Sequence, residues 1–170
     1  NLGWGLPYPM HPDERNMAVA IQQLHCDVLR VASFDFKDCL NPHFFAYGQF
    51  PLYMAYGGIQ LFHTLFGITG PPTFIEATIA LRVISAMSSV LLVFFLLKIV
   101  SLLYKPHNRV YDITTVRLFD LCALIFQPYA IQFAHFGTTE SLLMLFFSIS
   151  LYYSLRILQA TNHTLPVMVV

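Results

Sequence analysis

The stretch His11-Pro12-Asp13-Glu14-Arg15 groups several chemically active side chains in a sequence that has few charges. Pro12 has the φ of a first helical turn and no N–H to leave unpaired there. Asp13 and Glu14 then fall in that first turn, where the helix dipole favours negative charge. A carboxylate can accept a proton from a hydroxyl group, so Asp13 is a candidate general base, and Glu14 could assist it or bind a cation.

Glu140 is the second candidate catalytic acid, because it precedes an uncharged apolar run and so lies at another predicted helix N-terminus. Besides Glu14, four residues are candidate substrate contacts. Arg82 and Lys37 suit a phosphate group, since guanidinium and ammonium groups bind phosphate oxygens. His135 and His43 are candidate hydrogen-bond donors to the substrate.

Each acidic candidate also has a purely structural interpretation. Asp13 can cap the first helix, Glu14 can be an ordinary first-turn acid, and Glu140 can pair with Arg82. Together with His11, the carboxylates offer nitrogen and oxygen ligands for a divalent cation. No HExxH or similar spacing defines a dedicated site, so no metal and no cofactor is assigned.

The composition is that of a membrane protein. The chain has 170 residues, 56% hydrophobic and 11% charged, whereas soluble domains carry about 25% charged residues. The net charge is zero and no basic stripe is present, which excludes a typical nucleic-acid-binding protein. The three cysteines form no CxxC pair and define neither a zinc site nor a disulfide framework. Since the sequence starts at Asn1 and ends inside an apolar run, we expect an excerpt of a longer protein.

Hydrophobic periodicity predicts an all-α chain, a multi-pass transmembrane bundle with amphipathic helices beside the membrane. Residues 1–76 are predicted to form the first external loop, whose first helix runs from about Pro12 to Leu29. Residues 77–170 are predicted to form the membrane helices. Their approximate bounds are 78–104, 117–136 and 141–158, with the start of another at 165.

The run 44–67 is apolar and aromatic, but glycines, Gln60 and His63 interrupt it, which favours a location in the membrane interface. Its aromatic side chains either line a lipid groove or anchor the chain in the interface. They are Phe44, Phe45, Tyr47, Phe50, Tyr53 and Tyr56.

The distribution of basic residues predicts the topology. The connector between the first two strong spans is basic and is therefore predicted to be cytoplasmic. The turn from His135 to Glu140, one span later, then lies on the outer face, as does Arg82. If the run 44–67 lies in the interface and does not cross the membrane, Asp13 shares that face with Glu140.

Four blocks of the sequence, in this order, resemble the family 39-like enzymes of the GT-C superfamily of polyprenyl-phosphate-sugar-dependent glycosyltransferases. Within that family the chain is similar to the N-terminal part of protein mannosyltransferases and aminoarabinose transferases. The blocks are His11-Pro12-Asp13-Glu14; Asn41-Pro42-His43-Phe44-Phe45-Ala46-Tyr47 with Pro51-Leu52-Tyr53; Ala80-Leu81-Arg82-Val83-Ile84-Ser85-Ala86; and Gln127-Pro128 with His135-Phe136-Gly137-Thr138-Thr139-Glu140.

The resemblance implies an integral membrane enzyme with its active site on the exoplasmic face. Such an enzyme transfers a sugar from a polyprenyl-phosphate carrier to an acceptor hydroxyl, with inversion, so its partners are the lipid-linked donor, an acceptor and membrane lipids. Asp13 is then the candidate base, Glu140 the second acidic residue and Arg82 the carrier-phosphate contact.

Two other functions agree with the composition. A transporter or flippase-like protein would line a path with intramembrane charges, of which Asp120 is the candidate. A non-catalytic membrane scaffold would leave Asp13 and Glu14 facing water without a pocket.

Overall fold

The computed structural model describes residues 2–8, 11–24, 39–103 and 113–164, and over these ranges the chain is helical, with no strand. The prediction of an all-α chain is confirmed for this part of the sequence. The helices are α1 (Pro12–Gln23), α2 (Phe50–Phe66), α3 (Phe74–Leu103), α4 (Ile113–Ile125), α5 (Pro128–His135) and α6 (Glu140–Thr164).

Two of the helices are long and apolar enough to cross a membrane. They are α3, with 30 residues, and the first 21 residues of α6, which correspond to roughly 45 and 32 Å against a hydrocarbon core of about 30 Å. Only 22% of the most apolar window of each helix is buried inside the structure. Since a core helix of a soluble protein is mostly buried, these two helices indicate association with a membrane.

The region predicted as one span over 117–136 is divided into two helices. α4 ends at Ile125, and α5 starts at Pro128 after Gln127, which has an extended backbone with ψ 121°. Proline has no N–H for the helical ladder and disfavours helical geometry in the residue before it. Pro128 therefore ends the continuous helix that hydropathy predicted.

α2 occupies most of the apolar run 44–67 and has 17 residues. Gly67 ends it in the left-handed conformation, with φ 65°, which glycine adopts without steric cost. One face of α2 packs into the core, while Leu61, Leu65 and Phe66 are exposed. The first helix ends at Gln23, because Leu24 has an extended backbone with ψ 122°, so the prediction that this helix runs to about Leu29 is wrong at its C-terminal end. The interfacial location of α2 stays a prediction.

α3 is the centre of the fold, because it contacts each of the other five described helices. α1 and α2 pack on its first turns and form the hydrophobic core there. α6 packs along α3 through small polar residues: Ser89 Oγ donates to Ser141 Oγ at 3.1 Å, and Ser85 Oγ donates to the Thr138 carbonyl at 3.0 Å. Small side chains let membrane helices approach closely.

Cys39 is disulfide-bonded, whereas Cys122 is a free, exposed thiol. The spacing of the three cysteines defined no disulfide framework, so the sequence did not predict this disulfide. Disulfide formation depends on which Cα atoms the fold brings within about 7 Å, and wide spacing in the sequence does not exclude that.

Candidate active site

Glu14 and Arg82 form a buried, bidentate ion pair between α1 and α3. Arg82 Nε donates to Glu14 Oε1 at 2.7 Å, and Nη2 donates to Oε2 at 2.8 Å. Nη1 donates to the carbonyls of Leu2 and Trp4 at 2.6 and 2.7 Å. The Glu14 and Arg82 side chains are 0% and 2% exposed. Arg82 thus ties the N-terminal loop and α1 to α3.

A third segment joins this pair at Gly137, in the turn between α5 and α6. The Gly137 N–H donates to Glu14 Oε1 at 2.7 Å. A Cβ atom at this position would lie 2.5 Å from Leu81 Cβ and 3.1 Å from Arg82 N. Only glycine therefore allows the turn to pack this closely on α3.

These contacts correct two sequence-based roles. Glu14 and Arg82 were predicted to bind substrate, Arg82 through the carrier phosphate. The structure instead pairs the two side chains with each other, away from solvent. Four of the five N–H donors of Arg82 have protein acceptors, so the guanidinium is not placed to receive a phosphate.

Asp13 has a different environment from its neighbour. Its side chain is 30% exposed, and the Tyr47 hydroxyl donates to Asp13 Oδ1 at 2.7 Å. The other oxygen, Oδ2, lies 4.0 Å from His11 Nδ1. One carboxylate oxygen is thus held by a phenol, and the other is directed towards the histidine.

Glu140 acts on the same tyrosine from the start of α6. The pKa of Tyr47 is raised above its usual value of 10.0, and the largest cause is the hydrogen bond to Asp13. Smaller contributions in the same direction come from partial loss of solvent contact and from the negative charges of Asp13 and Glu140. The charges of both carboxylates disfavour the phenolate, so both lie within electrostatic reach of the Tyr47 hydroxyl.

Buried polar atoms without a hydrogen-bond partner occur in the described residues only around these acids. They are His11 Nδ1, Thr138 Oγ1 and Glu140 Oε2. The His11 ring contacts Phe136, with centroids 4.9 Å apart, so α1 meets the turn that contains Thr138. Buried polar groups are normally hydrogen-bonded, either to protein atoms or to ordered water.

The remaining candidates do not join this group. His135 is exposed and its Nδ1 lies 2.7 Å from the Ile131 carbonyl, while its ring lines an apolar cavity of about 450 Å³ together with Gln127 and Ser89. His43 is exposed, and its N–H donates to Asn41 Oδ1 at 3.0 Å in a local turn. Lys37 lies outside the described residues.

Metal ligands are not assembled in this part of the chain. Among the described residues, no group of three or more histidine, cysteine, aspartate or glutamate side chains is arranged to hold a metal ion. Glu14, one of the four ligands considered for a divalent cation, is used by Arg82 and Gly137.

Sequence reasoning missed the roles of Tyr47 and Gly137. Tyr47 was only one member of an aromatic run, and nothing local indicates that its hydroxyl reaches Asp13. Gly137 had a weak signal, since a glycine just after a helix end often marks a special backbone position or a close approach.

Comparisons of the chain with protein-family models, curated proteins and solved structures give no match. Asp13, Tyr47, Glu140 and the sequence motifs are therefore the features from which a function can be proposed.

Proposed function

We propose that the chain is part of an integral membrane glycosyltransferase of the GT-C type. It would transfer a sugar from a polyprenyl-phosphate carrier to an acceptor hydroxyl on the exoplasmic face, with inversion. The observation that supports this most is the hydrogen bond from Tyr47 to Asp13, with the negative charge of Glu140 acting on the same phenol. The unpartnered polar atoms beside them support a site for a hydroxyl-rich ligand.

Asp13 is the proposed base. Tyr47 holds Oδ1, so Oδ2 accepts the proton of the acceptor hydroxyl. The hydroxyl oxygen then attacks the anomeric carbon, while the bond from that carbon to the phosphate oxygen breaks and the carrier phosphate leaves with the electron pair. Attack on the face opposite the leaving group gives inversion. Glu140, as the second acidic residue, orients the acceptor through its own hydrogen bonds.

The Glu14–Arg82 pair is a positioning element in this mechanism. It fixes the first turn of α1 against α3 and, through Gly137, against the turn before α6. Asp13 lies in that turn of α1, and Glu140 follows the second segment as the first residue of α6. Holding both carboxylates in one geometry supplies the orientation on which such a transfer depends.

The membrane arrangement that we propose is a multi-pass bundle with this site outside. α3 and α6 supply two crossings, and α4 with α5 supplies a third that is broken at Gln127. Broken helices are tolerated at membrane depth where they line a cavity, and Gln127 lines the 450 Å³ apolar cavity. The disulfide at Cys39 agrees with an exoplasmic first loop, since disulfides persist in oxidising compartments.

The test is a transfer assay with the intact protein in membranes, using radiolabelled polyprenyl-phosphate mannose and measuring released polyprenyl phosphate. Asp13→Asn is expected to lower the rate at least about 100-fold, the lower range for loss of a general base. Arg15→Gln, a charge change on the exposed side of the same helix, is the matched control and should keep the rate. Full activity in Asp13→Asn would refute the assigned role.

The transporter alternative depends on Asp120, which lines none of the three cavities described in this part of the chain. It has a distinct test, because it expects the accessibility of a cysteine introduced beside Asp120 to alternate between the two sides of the membrane.

A further inference from the structure

Two cations lie at the ends of α3 and α6 that are farthest from Asp13 and Glu140. Lys98 comes 16 residues after Arg82 on α3, and Arg156 comes 16 residues after Glu140 on α6. At 1.5 Å per residue both are about 24 Å along their helices from the candidate active site. They are therefore at one level, near the opposite surface of the membrane.

Lys98 and Arg156 line the same open cavity of about 580 Å³ between the two helices. Its other walls are aromatic or apolar, and no carboxylate lines it. Lys98 Nζ lies over the rings of Phe94 and Tyr152, 4.8 and 5.8 Å from their centroids. These cation–π contacts hold the ammonium group in the space between the helices.

Neither cation has a carboxylate partner in the described part of the chain. The described ion pairs join other residues, and Arg156 is exposed. A third cation at this end, Arg117, donates from Nε to Ser101 Oγ at 2.8 Å. The local field is thus positive, and the ligand that complements it is an anion.

Interfacial snorkelling accounts for a single lysine or arginine at a helix end. It does not account for two cations from separate helices that share one cavity with aromatic walls. Basic pockets of this kind between membrane helices on the cytoplasmic side bind phosphate-bearing lipid headgroups. Arginine suits the phosphate because its planar fork can form two parallel hydrogen bonds.

We propose that the cavity around Lys98 and Arg156 binds the headgroup of an anionic phospholipid in the cytoplasmic leaflet. The Arg156 guanidinium takes the phosphodiester, and Lys98 supplies the second positive charge. The acyl chains extend towards the middle of the bilayer along the exposed apolar surfaces of α3 and α6, which include Leu91 and Leu151. The inference rests on the membrane location of the two helices and is independent of the transfer reaction.

The test is native mass spectrometry of the intact, delipidated protein titrated with phosphatidylglycerol and, separately, with phosphatidylcholine. The protein is expected to retain phosphatidylglycerol preferentially. Lys98→Gln and Arg156→Gln should each lower its association constant about fivefold, and the double variant about 25-fold, the effect of removing one or two near-surface charges. Binding of phosphatidylcholine should not change.

Arg15→Gln is the matched control, since it removes one exposed charge from α1, far from the cavity. The affinity of this variant for phosphatidylglycerol should equal that of the wild type. sn-Glycerol 1-phosphate separates a lipid site from a site for soluble phosphate. We expect that sn-glycerol 1-phosphate, at the same concentration as the lipid, does not displace bound phosphatidylglycerol. Equal binding of the two lipids, undiminished binding by the double variant, or displacement by glycerol phosphate would each overturn the proposal.

Discussion

Asp13 and Glu14 are adjacent carboxylates in the first turn of α1, yet their surroundings have little in common. Glu14 is 0% exposed, and its two oxygens receive three hydrogen bonds from Arg82 and Gly137. Asp13 is 30% exposed and receives one hydrogen bond, from Tyr47. Consecutive residues of a helix point about 100° apart, so one turn can direct Glu14 into the core and Asp13 towards the surface.

The contrast separates a structural acid from an acid that is free to react. A buried, fully bonded carboxylate has no oxygen left for a proton or a substrate, but it fixes the segments that bond to it. A partly exposed carboxylate held at one oxygen keeps the other for chemistry. Substitutions at the two positions should therefore divide between loss of stability and loss of activity.

The largest effect on stability is expected for Glu14→Gln, since it leaves the Arg82 charge buried without a counter-charge. Breaking a buried ion pair costs about 3–5 kcal/mol, and unfolding by denaturant titration in mild detergent measures it. Asp13→Asn is the matched control and should cost less than about 1 kcal/mol, because surface changes have small effects. A similar loss for both variants would remove the distinction between the two acids.

A double variant separates the effect of the unpaired Arg82 charge from the effect of the lost hydrogen bonds. Replacing both partners, Glu14→Leu with Arg82→Met, should recover much of the stability that Glu14→Gln loses, since apolar residues of similar volume often replace a buried ion pair without loss. If the double variant is as unstable as Glu14→Gln, the hydrogen bonds to Leu2, Trp4 and Gly137 matter more than the charge pairing.

Gly137→Ala is expected to have the next largest effect on stability. The added Cβ would lie 2.5 Å from Leu81 Cβ and 3.1 Å from Glu14 Oε1, and such overpacking costs about 1–3 kcal/mol. The same unfolding measurement gives the cost. Gly57→Ala is the control, because nothing lies within 4 Å of its Cβ position and alanine favours a helix; it should be neutral or stabilise by about 0.4–1 kcal/mol. Equal tolerance of both would mean that the turn can move away from α3.

Part of this contrast between the two acids was readable from the sequence. Glu14 precedes Met17, Ala18 and Ile21 by three, four and seven residues, which is the spacing of one helix face. Met17, Ala18 and Ile21 are buried in the core, so extending the apolar stripe back by one turn identifies Glu14 as the inward acid.

The partners of these residues could not be predicted in the same way. Arg82 is 68 positions from Glu14, and Gly137 is 123 positions from it. Helical periodicity indicates which side of a helix is buried, but not which side chain of another helix meets it, because that depends on how all the helices pack. The contact of the Tyr47 hydroxyl with Asp13 could not be predicted either, because Tyr47 lies in an irregular segment that has no hydrophobic period.

The smallest expected effect is a change in the pKa of Tyr47. It is also the most direct test of the surroundings of Asp13, the acid that the contrast with Glu14 leaves free to react. The hydrogen bond to Asp13 and the charges of Asp13 and Glu140 favour the protonated phenol in the folded protein. Its stabilising contribution is therefore complete below the unfolded pKa and is lost as the pH rises through the raised folded pKa. Asp13→Asn should move the pKa of Tyr47 down towards 10.0, and Glu140→Gln should move it down by less.

Nuclear magnetic resonance of ¹³C-labelled tyrosine follows this titration, with the Tyr47→Phe variant identifying the signal among the nine tyrosines. Glu76→Gln is the control, because Glu76 bonds to His63 and Thr73 and is not among the charges that act on Tyr47. If Glu140→Gln leaves the titration of Tyr47 unchanged, the two carboxylates do not share a site and only Asp13 contrasts with Glu14. A downward shift in both variants would place two acids around one phenol in solution, which is the arrangement that the proposed transfer chemistry requires.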